Sequence, residues 1–277
     1  MSMIEIKIID QSSGEQLDRG LLYAEACFET FRVIDGQVFA VDYHIRRMQL
    51  GLAALGIDIC QKALQDGFER CVQAATQKGS DVLVRFTISG GLSGWGLNRP
   101  QHLQPAAYIH TMVPLAQAAQ HLMPVEYPFP MKDRPAKFTA DYGEFLRARQ
   151  YWKTQCPEGF HPLLCQQGRW ISSATANILL FDGQQWLTPP IGPGVLPGTL
   201  RQALLAAGCV GEKELGDHFM EHVQAMACIN SGAWIVPVSQ LAERLLDVNH
   251  AAFAALHEAL AARPGVPAMS TVRLADA

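Results

Sequence analysis

The sequence predicts an α+β protein made of two units. Three observations carry this. Period-two strand patterns closed by Asp-Gly turns occur in both halves, at Asp35-Gly36 and Asp182-Gly183. Amphipathic helical runs separate them, and Pro114 to Pro135 holds five prolines with no sustained periodicity. That interval divides a small N-terminal α/β domain (residues 1–115) from a larger C-terminal domain (135–277), with 116–134 as an interdomain linker. With 277 residues, 49% of them hydrophobic, the chain has the apolar content to fill both cores.

In chain order, Ile4 to Ile9 alternates as a strand and Gln11 to Gly14 turns it. Cys27 to Ile34 is a second strand, returned through Asp35-Gly36 by Gln37 to Val41. From Asp42, the spacing of Ile45, Met48, Leu52 and Leu55 predicts a helix ending at Gly56. Arg46 and Arg47 in its first turns oppose the helix dipole, which is unfavourable unless an anion lies nearby. Lys62 to Gln77 is helical, Asp81 to Ser89 is a strand, Gly90 to Gly96 is a glycine-rich loop, and Ala106 to Val113 is a strand. After the linker, a helix runs from about Tyr142 to Thr154, followed by strand segments at Pro162 to Gln166 and Arg169 to Ser172. Asn177 to Phe181 and Gln184 to Thr188 form the second hairpin, and Leu196 to Arg201 leads into a helix reaching Ala207. A short amphipathic segment at Asp217 to Gln224, a strand around Cys228 to Ser231, and a helix at Ala251 to Ala262 complete the chain.

A net charge of −4 without a long basic run gives no footprint for nucleic acid, and no segment has the length of apolar sequence that spans a membrane. Without a basic and then apolar leader pattern at the start, a cytoplasmic location is the default expectation. The seven cysteines are scattered and form no CxxC pair, so reduced thiols are expected rather than a disulfide framework or zinc site. The histidines show no HExxH spacing, and no metal is expected. Two stretches carry candidate chemistry. Free N–H groups of Leu196-Pro197-Gly198-Thr199-Leu200-Arg201, at a helix start, suit a phosphate. Lys137 lies among Pro135, Ala136 and Phe138, and apolar surroundings depress an amine's pKa, making it available as a nucleophile or Schiff-base former.

Together these features resemble the class IV aminotransferase family of pyridoxal-phosphate enzymes, which includes branched-chain and D-amino acid aminotransferases and aminodeoxychorismate lyase. Phe28-Glu29-Thr30-Phe31-Arg32 with Gly36 looks like the family's FETxRxxxG hairpin, and His44 to Arg47 like its HxxR helix start. Ala136-Lys137 matches the Schiff-base segment, Leu196 to Arg201 the LPGxxR loop, and Asn230-Ser231-Gly232 a second phosphate-contacting loop. The resemblance implies a two-domain fold of the D-amino acid aminotransferase type, fold-type IV, acting on a small amino substrate as a homodimer. It implies that Lys137 holds pyridoxal 5'-phosphate and moves protons at the substrate carbon. Arg47, Ser231 and the N–H groups of Thr199 and Leu200 would hold the phosphate, and Tyr142 the phenolic oxygen. Ser172, Asn177, Gly198 and Asn230 would complete the cofactor site, with Phe31, Arg85 and Gly232 on the substrate side.

One departure shapes the expected chemistry. Five residues before Asn177 the family has a glutamate facing the pyridine nitrogen, and this chain has Ser172. A charge-assisted hydrogen bond contributes roughly 1.5–3 kcal/mol against roughly 0.5–1.5 for a neutral one, so Ser172 should leave the pyridine largely neutral. A weaker electron sink disfavours transamination and leaves elimination accessible when the leaving group is good. The expectation is therefore an aminodeoxychorismate-lyase-like reaction, giving 4-aminobenzoate and pyruvate. Amino acid transamination and a noncatalytic family member are the alternatives.

Overall fold

The computed structural model describes residues 16–93, 96–99, 101, 104–114, 118–261 and 263–267. The strand expected at Ile4 to Ile9, its turn, and Gly94 and Trp95 of the glycine-rich loop lie outside these.

The chain enters through β1 (Leu17–Asp18) and α1 (Arg19–Tyr23), then β2 (Ala26–Ile34) and β3 (Gln37–Val38). Helices α2 (Val41–Ala54) and α3 (Gln61–Thr76) follow, then β4 (Asp81–Ser89), β5 (Leu92–Ser93) and β6 (Ala106–Met112). Strands pair antiparallel in the order β3-β2-β4-β6, and β1 pairs with β5. Period-two alternation divides the sheet's faces. Cys27, Phe31 and Val33, with Val82, Val84, Phe86 and Ile88, pack against Met48, Leu52, Leu64 and Phe68 of the two helices. By the same alternation, Phe28, Thr30 and Arg85 stand on the opposite face. Asp35 (φ 47°) and Gly36 (φ 74°) both take left-handed backbone, as the two-residue hairpin turn requires.

The return strand is shorter than the expected Gln37 to Val41. Ala40 turns left-handed (φ 50°) and starts α2. Phe39 instead leaves this unit and meets Trp234 edge-to-face at 5.0 Å in the second domain's core.

The second unit comprises β7 (Gln120–Glu126), α4 (Asp141–Gln155), β8 (Phe160–Gln166), β9 (Arg169–Ser173), β10 (Asn177–Phe181), β11 (Trp186–Thr188) and α5 (Thr199–Ala206). It continues through β12 (Val210–Glu212), β13 (Leu215–Gly216), β14 (Ala225–Asn230), β15 (Trp234–Leu241), β16 (Arg244–Leu245) and α6 (Phe253–Ala261). Its ten-stranded mixed sheet runs β12-β11-β10-β14-β15-β7-β8-β9-β13, with β16 on β15. Residues 217–224, expected as an amphipathic segment, form only a single 3-10 turn at Asp217–Phe219.

The reading of 116–134 as a linker without strands is corrected: Gln120–Glu126 is an inner strand of the large sheet, parallel to both β8 and β15. Only Leu122 and Val125 are buried in it, so period-two alternation is absent from the sequence. Pro124 is tolerated because pairing with β15 stops at Leu122, so its missing N–H falls past that ladder.

Candidate active site

A cleft lies between the units. Arg47, Lys137, Tyr142, Ser172, Asn177, Gly198, Thr199, Leu200, Asn230 and Ser231 all line it. Residues distant in sequence meet there: α2 brings Arg47 from the small domain, the segment before α4 and its first turn bring Lys137 and Tyr142, and β9, β10, α5 with its N-cap, and the β14 to β15 turn bring the rest.

The small-domain wall is organised by Glu29. It sits on the helix-facing side of β2, fully buried, where an acid needs partners. Arg47 supplies them from α2: Nε donates to Oε1 at 2.7 Å and Nη2 to Oε2 at 2.5 Å, while His44 Nδ1 lies 2.6 Å from Oε2. Burial opposes ionisation of Glu29, but the Arg47 guanidinium outweighs it and holds the carboxyl well below the usual carboxylate range. Arg47 Nη1 donates across the cleft to the Pro197 carbonyl at 2.8 Å, which fixes the two walls together. The anion that accounts for an arginine in the first turns of α2 is thus inside the protein, while neighbouring Arg46 is exposed.

Lys137 is carried by an extended segment laid along β2. Phe28 N–H donates to the Lys137 carbonyl and Thr139 N–H to the Ala26 carbonyl, each at 3.0 Å. Its ammonium stands 5.7 Å from the Phe28 ring. Desolvation, then the charge of Arg47, lower its pKa from 10.5 to about 8, with Arg134 and Arg85 acting in the same direction. Tyr142, in the first turn of α4, packs edge-on to Phe28 at 5.3 Å, and burial raises its phenol pKa.

The opposite end is an anion cradle. Helix α5 starts at Gly198 without a side-chain cap, leaving its first N–H groups for a ligand. Thr199 Oγ1 and Ser231 Oγ are 2.6 Å apart across the opening. Asn177 Nδ2 donates to the Leu196 carbonyl at 2.9 Å, and a Cβ at Gly198 would meet Asn177 Oδ1 at 2.0 Å, so only glycine fits there. Asn230 Oδ1 accepts from the Gly232 and Ala233 N–H groups at 2.9 and 2.7 Å, shaping the turn that presents Ser231. Ser172 is buried in β9, and its hydroxyl has no partner among the described residues.

Three placements differ from the sequence reading or add to it. Phe31, expected on the substrate side, is corrected: it is 1% exposed and packed between His44 and Phe68 on the helix side of β2. The opposite parity puts Phe28 beside Lys137 instead. Arg85 and Gly232 lie off the cofactor end. Arg85 stacks on Phe28 with Cζ 3.6 Å from the ring centroid, and a Cβ at Gly232 would approach Leu83 of the small sheet at 3.2 Å. Arg134, three residues before Lys137, also lines the cleft. Among the described lining residues the charged groups are Arg47, Arg134 and Lys137, with no carboxylate.

An amine with a lowered pKa thus faces a cleft whose far end is an uncapped helix start. Residues 26–241 match the model of the amino-transferase class IV family, and the chain belongs to that family. It is 23% identical to aminodeoxychorismate lyase of Bacillus subtilis (strain 168) over 195 residues, spanning 68% of this chain and 66%, just under two thirds, of that relative. Among solved structures, a hypothetical aminotransferase from Mycobacterium tuberculosis in its PLP-bound form superposes with TM-score 0.73 at 15% identity, covering 93% of this chain and 95% of that one. The branched-chain amino acid aminotransferase from Escherichia coli does so with TM-score 0.71 at 18% identity, covering 87% and 85%. The residues present fit pyridoxal phosphate: a reactive amine, an uncapped helix start for the phosphate, and the orphaned Ser172 hydroxyl for the ring nitrogen.

Proposed function

We propose that this protein is a pyridoxal-phosphate enzyme of the aminodeoxychorismate-lyase type, releasing pyruvate and forming 4-aminobenzoate. The observation that carries the reading is Ser172. Where the family's glutamate would face the ring nitrogen, this chain offers a neutral, unpartnered hydroxyl, and the described cleft lining holds no carboxylate to take over that role. Similarity to the Bacillus subtilis lyase supports the same assignment.

When bound, the cofactor supplies the electron sink. The chain's residues do the rest. Arg47, Thr199, Ser231 and the N–H groups of Thr199 and Leu200 would hold the phosphate, and Tyr142 would orient the ring through its phenolic oxygen. Lys137 Nζ would hold the cofactor and, as a free amine, would take the proton from the substrate's amine-bearing carbon and supply one to the departing three-carbon acid. The protein works as a homodimer in this proposal, on a small amino substrate, in the cytoplasm. No helix among the described residues is long and apolar enough to cross a membrane.

A steady-state assay with aminodeoxychorismate tests the proposal. Formation of 4-aminobenzoate is expected; its absence, together with keto-acid turnover from an amino donor, would establish a transaminase instead. Ser172→Glu restores the carboxylate and is expected to raise the half-reaction rate with an amino acid by about tenfold, the gain of one charge-assisted over one neutral hydrogen bond. An unchanged or slower half-reaction in stopped-flow absorbance would defeat the account of the ring nitrogen. Because only the neutral amine attacks a carbonyl, uptake of pyridoxal phosphate by the cofactor-free protein should accelerate with rising pH, with a midpoint at about 8 set by Lys137. A midpoint near 10.5, read by borohydride trapping, would show that the cleft does not depress this amine.

A further inference from the structure

The proposed site leaves His44 without a role, although it is fully buried in the wall that carries Arg47. It lies one turn before Arg47 on the same face of α2, and its side chain and that of Glu29 are both 0% exposed. Its Nδ1 stands 2.6 Å from Glu29 Oε2, the oxygen that also accepts from Arg47 Nη2 at 2.5 Å. Burial lowers the imidazole's pKa against the pull of Glu29, and the charges of Arg47 and Lys137 lower it further. The ring is therefore neutral, and because an ionised carboxylate can only accept, its one proton sits on Nδ1. Nε2 is left as a buried acceptor with no partner among the described residues. A ring kept only to fill space against Phe31, 5.3 Å away, would be better apolar, since phenylalanine or leucine carries no unpaired acceptor. What the histidine supplies that they cannot is the Nδ1 donor.

That donor bears on the phosphate in two steps. Glu29 comes from β2 and Arg47 from α2, so the fork between them can shift as a unit unless the carboxylate is held from a second direction. His44 holds it: Nε and Nη2 of Arg47 and Nδ1 of His44 close together on the two carboxylate oxygens. The fork sets the plane of the guanidinium, and Nη1 is left turned to the cleft, where it donates to the Pro197 carbonyl at 2.8 Å. We propose that His44 is a positioning residue for the phosphate: its neutral imidazole holds Glu29 from Nδ1, and Glu29 in turn aims Arg47 at the cradle. The inference rests on the proposed site, in which Arg47 holds the phosphate of pyridoxal phosphate.

The test needs no turnover. Pyridoxal phosphate and pyridoxal carry the same aldehyde for Lys137 and differ only in the phosphate. Full-length protein freed of cofactor is titrated with each, and the ratio of the two dissociation constants reads the phosphate contacts alone. The parent is expected to favour the phosphorylated form by about a hundredfold or more, the worth of two charge-assisted hydrogen bonds. His44→Leu should lower that ratio at least about tenfold, the worth of one. His44→Asn has leucine's shape but carries an N–H where Nδ1 stood, and should stay within about threefold of the parent. A merely structural role would weaken both ligands together and leave the ratio unmoved. The inference is overturned by a His44→Leu protein that keeps the parent's ratio, and equally by a His44→Asn protein that falls as far as His44→Leu. A parent with no preference for the phosphorylated form would overturn the phosphate site itself, and the inference with it. Should His44→Leu not fold, His44→Phe, which keeps a ring against Phe31, takes its place in the comparison.

Discussion

Lys137→Met is expected to abolish turnover, lowering kcat by about 10³-fold or more, and to leave no pyridoxyl adduct after borohydride reduction. Proton transfer by a positioned side chain alone contributes about 10²–10⁴-fold, and in the proposed mechanism this residue both tethers and transfers. Methionine matches the length of the lysine stem and keeps its apolar contacts, so the cleft should stay folded. The structure gives the substitution a second consequence. Lys137 is an amine whose burial, and then the neighbouring charges of Arg47, Arg134 and Arg85, lower its pKa to about 8. Removing it relieves a like-charge cluster, so the variant should melt no lower than the parent and may be compared by thermal denaturation. A Lys137→Met protein that keeps more than about a hundredth of the activity would move the tether to another amine. Retention of the adduct in peptide mass analysis would do so directly.

How far this site could be read from sequence depends on the range of each interaction. The two Asp-Gly hairpins are local: Asp35 and Gly36 take the left-handed backbone of a two-residue turn, whereas the loop at Asp182-Gly183 is longer and its return strand starts at Trp186 rather than at the expected Gln184. Lys137 was legible from its apolar neighbours, and the Leu196 to Arg201 loop from its helix start. The strand Gln120–Glu126 was not, because it exists only through partners on both sides, β8 and β15, distant in sequence. Parity explains the exchange of Phe31 for Phe28: the strand was evident, but which face meets the helices is decided by packing against α2 and α3. Glu29 had a signal that went unused. An acid sharing its parity with Cys27, Phe31 and Val33 has to be buried with a cation, and the ill-placed Arg47 was that cation. Arg134 had none, since its stacking on Phe145 requires the turn into α4.

Glu29→Gln is the substitution expected to cost the most stability. The pair it forms with Arg47 is fully buried, with side-chain exposures of 0% and 3%, and removing one member leaves a desolvated charge behind. Such losses run to about 3–5 kcal/mol, a large share of a domain's net stability. Denaturant titration should show the midpoint fall, with a matching loss of phosphate or cofactor affinity because Arg47 is no longer held against the Pro197 carbonyl. The pH dependence has a definite sign. The folded pKa of Glu29 is depressed, so its contribution is fully present above the unfolded carboxylate value of about 4.3 and is lost progressively as pH falls from there towards the folded value. Glu29→Gln should therefore flatten the acid limb of the stability curve below that point. The double variant Glu29→Leu with Arg47→Met separates pairing from desolvation, because replacing both charges by apolar groups of similar volume often restores stability. It is expected to be more stable than Glu29→Gln alone, yet unable to bind the cofactor's phosphate. If Glu29→Gln instead costs less than about 1 kcal/mol, the cluster of Glu29, Arg47 and His44 is not what joins the small domain to the phosphate loop.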